Sequence, residues 1–134
     1  MMGVYVDDAF IPAKVRNGGR YVTARWCHLS ADTEEELHDL AQRIGLRRSW
    51  FQVPKFAGKP SKPDSRAGQN WHYDVTESRR AAAIELGAIP VTCREFSDRV
   101  EARFARDYPD AHAAWIAVRE ANRAKWAALR EDPR

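Results

Sequence analysis

A layered α/β (or α+β) fold, a small sheet with helices packed on it, is what this sequence predicts, and three observations predict it. Short β-forming runs, Val4–Val6 and Arg20–Cys27, end at polar residues. Segments with helical spacing follow, the first over about 33–44 and the second over about 76–86. The second leads past Gly87 into another β-forming run, Ala88–Thr92, so helix and strand alternate as they do in layered proteins. The 134 residues suffice to bury a core without disulfide or metal staples. They divide into an α/β core at 1–95, carrying a basic Pro/Gly-rich loop at 53–70, and a helical C-terminal extension at 96–134.

The elements follow from local chemistry. Val4, Tyr5 and Val6 favour a strand that ends at the pair Asp7-Asp8. The turn-prone Asn17-Gly18-Gly19 precedes a second strand, in which Tyr21, Thr23, Arg25 and Cys27 alternate with Val22, Ala24 and Trp26. Asp32-Thr33 then supplies a cap, and Glu34, Glu35 and Glu36 suit the positive end of a helix dipole. On that helix Leu37, Leu40, Ala41 and Ile44 form one buried stripe, His38 sits on its shoulder, and Gly45 stops it. Arg47–Gln52 is expected to return as a short strand. Pro54, Pro60, Pro63, Gly58 and Gly68 break any regular element in the loop, which sets Lys55, Lys59, Lys62 and Arg66 against Asp64. Thr76 caps the second helix. In the extension Phe96, Val100 and Phe104 recur every four residues, and Tyr108-Pro109-Asp110 restarts the helix. Ala111, Trp115, Val118, Asn122 and Leu129 then share a face that is expected to pack on the core or to support a homodimer.

Composition narrows the classes. With 44% apolar and 31% charged residues the chain is globular in character. The net charge of +3 permits a nucleotide or nucleic-acid partner without demanding one. No apolar run approaches the length of a membrane span and the first residues do not form a signal peptide, so a cytoplasmic protein without a membrane partner is expected. Cys27 and Cys93 are too few for a disulfide framework and are expected to be buried thiols. The sequence contains no P-loop, no Gly-x-Gly-x-x-Gly, no His-Glu-x-x-His, no Gly-x-Ser-x-Gly and no Cys-x-x-Cys, so the common kinases, dinucleotide oxidoreductases, zincins and serine hydrolases recede.

What remains is a set of imidazoles and carboxylates at the edges of short apolar runs: Asp7, His28, His38, His72 and Asp74. His28, His38, His72 and Asp74 are candidates for acid–base catalysis. Asp7, His28 and His72 are candidate ligands of a divalent ion, with Mg²⁺ suited to a carboxylate and Zn²⁺, Mn²⁺ or Ni²⁺ to imidazole. In an extended segment His72 and Asp74 project to one side, and Asp74 can orient His72. Arg79, Arg80 and Tyr73 are candidate substrate contacts, the arginines because guanidinium suits phosphate. These residues together suggest a small metal-dependent or acid–base hydrolase acting on a phosphoester or nucleotide. A non-catalytic interaction protein and a nucleic-acid-binding accessory protein are the alternatives.

At these same segments the chain resembles a short bacterial and bacteriophage family, domain of unknown function 4031. The resemblance runs through Val4-Tyr5-Val6-Asp7, Cys27-His28-Leu29 to Asp32, Glu36-Leu37-His38, Ile44-Gly45, Trp50-Phe51-Gln52, His72-Tyr73-Asp74, Arg79 to Ala82 and Gly87-Ala88. It covers residues 3 to about 95 and implies no established activity. The lysine- and proline-rich stretch between Gln52 and Trp71 and the helical tail depart from the shorter relatives. A phage-encoded modulator of a host factor is one role such a family member could fill.

Overall fold

The computed structural model describes residues 3–131. A five-stranded mixed sheet forms from β1 (Val4–Val6), β2 (Ile11–Asn17), β3 (Arg20–Ala31), β6 (Tyr73–Thr76) and β7 (Ile89–Pro90). The pair β4 (Lys55–Phe56) and β5 (Lys59–Pro60) forms a separate small ribbon. The helices are α1 (Glu34–Arg43), α2 (Glu77–Glu85), α3 (Cys93–Asp107) and α4 (Pro109–Glu131).

The 12-residue β3 is the spine of the sheet. Its first half pairs antiparallel with β2, from Asn17↔Arg20 to Ile11↔Trp26. Its second half has β1 on the same side, Val6 opposite Leu29, and β6 on the other side, Tyr73 opposite Leu29. β7 adds to β1 in parallel. Successive side chains in a strand face opposite ways, so this register sorts the sheet into two faces. Val6, Cys27, Leu29, Ala31, Tyr73 and Val75 point to one; Tyr5, Asp7, His28, Ser30 and Asp74 point to the other.

The first face is dry. α1 and α2 lay Leu37, Leu40, Ala41 and Ala83 on it, and all of these are buried with their strand partners in one cluster. Burying each large aliphatic side chain stabilises the fold by roughly 1.5–3 kcal/mol. Thr33 caps α1 by accepting from Glu36 N–H, three glutamates occupy its first turn, and Gly45 at φ 82° turns the chain out of it. Thr76 caps α2 in the same way, accepting from Arg79 N–H.

The second face is only partly apolar. α3 covers one end of it, where Phe96 and Val100 pack with Tyr5 and Val91. One turn on, the buried Arg103 donates to Tyr5 Oη at 3.0 Å, to Ser30 Oγ at 3.2 Å and to the carbonyls of Ala31 and Gln69. Its guanidinium also lies 3.5 Å from the centroid of Trp71. Arg103 therefore fixes the end of the 53–70 loop, and with it the segment that enters β6. α4 packs back on α3 through His112 and Trp115 against Phe104. Farther along α4, Val118, Trp126 and Leu129 are exposed.

Several local expectations are corrected. Ile11–Asn17, to which the sequence alone assigns no strand, is β2; Ile11, Ala13 and Val15 do alternate with Pro12, Lys14 and Arg16, and Pro12 is tolerated because β2 is an edge. β3 continues through Ala31 instead of ending at Cys27, so His28 sits inside a strand and not in a loop before α1. Arg47–Gln52 is a 3₁₀ turn at Arg48–Trp50 followed by a lone bridge, Gln52 to His72, in place of a strand. Cys27 is buried, but Cys93 is exposed at the start of α3. Among the described residues no helix is long and apolar enough to cross a membrane.

Candidate functional site

Three adjacent strands set three polar residues in a row. Asp7 continues β1, and its N–H donates to the His28 carbonyl at 3.0 Å. His28 stands directly opposite Asp74 on β6. Carboxylate, imidazole and carboxylate thus lie side by side on the second face, beyond the apolar patch under α3. His72, two residues before Asp74, projects to the same side, and its ring meets that of His28 edge-on with centroids 5.1 Å apart.

The two carboxylates differ. The Asp7 side chain is 4% exposed and Asp74 34%. Asp7 Oδ1 accepts from the backbone N–H of His28 at 2.8 Å and of Ala9 at 3.3 Å, while Oδ2 pairs with His28 Nδ1 at 2.7 Å. Burial opposes ionisation of Asp7, yet the hydrogen bonds from the His28 ring and backbone hold its pKa below the usual carboxylate value. In return the bond to Asp7 raises the pKa of His28, against the effect of its own burial. Asp74 is also held low: burial pushes its pKa up, and the contacts from His72 and Gln52 outweigh that. Gln52 Nε2 donates to Asp74 Oδ2 at 2.7 Å, which leaves Oδ1 turned toward the histidines.

Both imidazoles have one nitrogen committed. His72 Nδ1 lies 2.9 Å from the carbonyl of Asn70, a group that only accepts, so Nδ1 carries the hydrogen. His28 Nδ1 faces the ionised Asp7 and carries one as well. In the neutral rings the lone pair is then on Nε2 in each case. These Nε2 atoms stand 3.9 Å (His28) and 3.4 Å (His72) from Asp74 Oδ1, and one ligand atom from each of the three side chains lies within 4.8 Å of the other two. The separations are long for charge-assisted hydrogen bonds, which run about 2.7–2.9 Å. They are close to the spacing of about 3.4 Å between donors bound tetrahedrally to an ion at about 2.1 Å.

Not every residue singled out in the sequence arrives here. His38 lies on α1, over the opposite face, where its Nδ1 is 2.8 Å from Tyr73 Oη and its ring packs on Phe51. Strand parity sends Tyr73 to that face too, away from Asp74, so neither residue borders the cluster. Asp7 stands behind His28 with both oxygens engaged, and it is an oxygen of Asp74, not of Asp7, that faces the Nε2 atoms of both histidines. Arg80 Nε donates to the Asp7 carbonyl at 2.8 Å and its guanidinium stacks on Phe10, a structural bridge between α2 and the end of β1. Arg79 donates to the Ile44 carbonyl and lines a cleft that reaches Asp74. Asn70, whose carbonyl orients His72, carries no sequence signal, and Gln52, which orients Asp74, stands out only within the Trp50-Phe51-Gln52 segment of the resemblance. Their roles come from the side-chain bond of Gln52 to Asp74 and the bond of the His72 ring to the Asn70 carbonyl, with the bridge between residues 52 and 72 holding the two segments together.

Fold and site define a mixed α/β protein in which a two-histidine, two-carboxylate cluster lies across three strands of the sheet. The chain belongs to the DUF4031 family of proteins of unknown function, which matches it over residues 4–103, from β1 into α3. No curated protein and no solved structure is significantly similar to it.

Proposed function

We propose that the protein is a metal-dependent hydrolase of phosphoesters, its divalent ion held by Nε2 of His28, Nε2 of His72 and the carboxylate of Asp74. One observation carries the reading: two imidazoles with their Nδ1 hydrogens already committed converge their Nε2 atoms on one carboxylate oxygen. The two carboxylates, both held below the usual pKa range, bring negative charge to the cluster, which a divalent ion would offset. Two histidines and one carboxylate form a ligand set common to Zn²⁺ and other first-row ions, with positions left for water and substrate. Asp7 serves as the partner that fixes the tautomer and raises the basicity of His28. An ion held there would lower the pKa of a bound water toward neutrality and polarise a phosphoryl oxygen. That water would be the nucleophile at phosphorus as the P–O bond to the alcohol breaks, and the proton it gives up would pass to the leaving oxygen.

Elemental analysis, melting curves with added Zn²⁺, Mn²⁺, Ni²⁺ or Mg²⁺, and hydrolysis of a chromogenic phosphodiester test this together. About one ion per chain, a melting rise and turnover are expected, all lost in His72→Ala while its circular dichroism stays that of the parent. Absence of metal uptake by the folded parent overturns the reading. A second reading, a non-catalytic interaction protein, draws on the exposed Val118, Trp126 and Leu129 of α4, which lies outside the family match. Metal uptake without turnover on any phosphoester would favour it.

A further inference from the structure

Beside the cluster lies a cleft of about 520 Å³, and Asp74 and Gln52 form part of its wall. That volume lies within the roughly 300–1,000 Å³ of small-molecule sites. Its lining also reaches Trp26, which stands opposite Thr76, and Val22, four residues earlier on β3. The cleft thus follows the strand for about 20 Å from the level of His28 to that of Val22.

The lining is of two kinds. Trp26 and Trp50 offer half-buried indole faces. Trp26 is held in place by its Nε1–H, which donates to the Ala13 carbonyl at 3.1 Å. Arg16 and Arg79 add two guanidiniums, neither in an ion pair with a carboxylate among the described residues. Arg79 is oriented in advance by its bond to the Ile44 carbonyl. Indole faces stack on nucleobases, and guanidiniums free of a carboxylate partner donate to phosphate oxygens in a planar fork.

From this arrangement we infer that the cleft binds a nucleoside phosphate, with its base on Trp26 and Trp50 and its phosphate between the arginines and the Asp74 end. The inference deepens the metal-centre reading, because a phosphate beside the Asp74 carboxylate is repelled unless a cation lies between them. The chemistry is shared by a free mononucleotide and by the terminal nucleotide of a single strand. Arg16 belongs to the β2–β3 hairpin, and Arg79 to α2 across the cleft, so the ligand would bridge the hairpin to the body of the protein.

The test uses the full chain, with metal content measured separately on every sample. 5′-AMP, adenosine, inorganic phosphate and a 5′-phosphorylated single-stranded pentanucleotide are each titrated by tryptophan fluorescence and calorimetry, with Mn²⁺ and after chelation. 5′-AMP is expected to quench fluorescence and to bind at least tenfold more tightly than adenosine or phosphate. Mn²⁺ is expected to tighten it further. Trp50→Leu and Arg16→Ala, each checked for folding and metal content, should weaken binding at least fivefold. Tighter binding of the pentanucleotide would assign the ligand to a strand end, and tighter binding of 5′-AMP to a free nucleotide. Metal uptake with 5′-AMP binding no better than adenosine overturns the cleft inference alone, as does unchanged affinity in both variants. Nucleotide binding by a chain that takes up no metal supports the cleft and overturns the metal centre.

Discussion

The two faces of the sheet are built by the same strands and do opposite work. Along β3, Cys27, Leu29 and Ala31 are fully buried under α1 and α2, while His28 between them is open to solvent and to chemistry. On β6, Tyr73 and Val75 face the first layer and Asp74 the second. Even the histidines divide this way: His28 pairs with the buried Asp7 carboxylate, whereas the half-buried His38 sits against Tyr73 and Phe51 with the exposed Glu34 3.6 Å from its Nε2. The difference teaches that alternation of side chains, and not proximity in sequence, selects which polar residues can act together. His38, ten residues from His28, faces away; Asp74, forty-six residues away, is its neighbour.

The comparison can be broken most strongly from the dry side. Leu29→Ala removes a fully buried side chain at the centre of the first face and is expected to lower the free energy of unfolding by about 2–5 kcal/mol in urea titration. If it costs no more than an exposed substitution, the first face is not the stabilising core. On the opposite face Asp7→Asn keeps the size of the side chain but sets an amide N–H against His28 Nδ1. That reverses the tautomer and removes the Nε2 lone pair, so metal affinity in a chelator competition should fall about 10–100-fold. Equal affinity in parent and variant would detach Asp7 from the site.

The smallest effect is a pH dependence that sharpens the contrast between the histidines. Burial, with the nearby Arg48 charge, holds the pKa of His38 below its ordinary 6.5. Between its folded value and that ordinary value the unfolded chain binds more protons, so stability is present above the ordinary value and is lost as pH falls through the window. His28, with its pKa raised, works in the opposite sense, favouring the fold at lower pH. Replacing His38 by Gln should therefore leave a protein that loses less stability than the parent between pH 7.5 and 5.5, followed by melting temperature. An unchanged dependence would mean that His38 titrates freely in the folded state.

Much of the frame was legible in the sequence. A cap at Asp32-Thr33, which the structure narrows to Thr33, the cap at Thr76, the stripe of Leu37, Leu40 and Ala41, and the glycine stop after α1 all follow from local chemistry. So was the shared side of His72 and Asp74, since a two-residue spacing in an extended segment fixes it. The opposition of Asp7, His28 and Asp74 was not legible, because it depends on which strands pair and in what register. The placement of His38 away from the cluster has the same origin. A helical residue at the shoulder of an apolar stripe can look toward either side of a sheet, and only the placement of α1 decides. Gln52 acts through a side-chain bond to Asp74 and Asn70 through its carbonyl, and no residue pattern announces either role.

The grip of Asp7 on His28 has a consequence for how the chain assembles. With β3 held by β2 and β6, a slip of one residue by β1 would turn Val6 out of the apolar layer and drive Tyr5 into it. β1 is only three residues long, too short for its apolar side chains alone to guard against that error. The Asp7 carboxylate holds both the backbone and the ring of residue 28, so it fits only one alignment. Asp7 therefore acts as a latch on strand register, making correct pairing of the first strand and readiness of the polar cluster a single event.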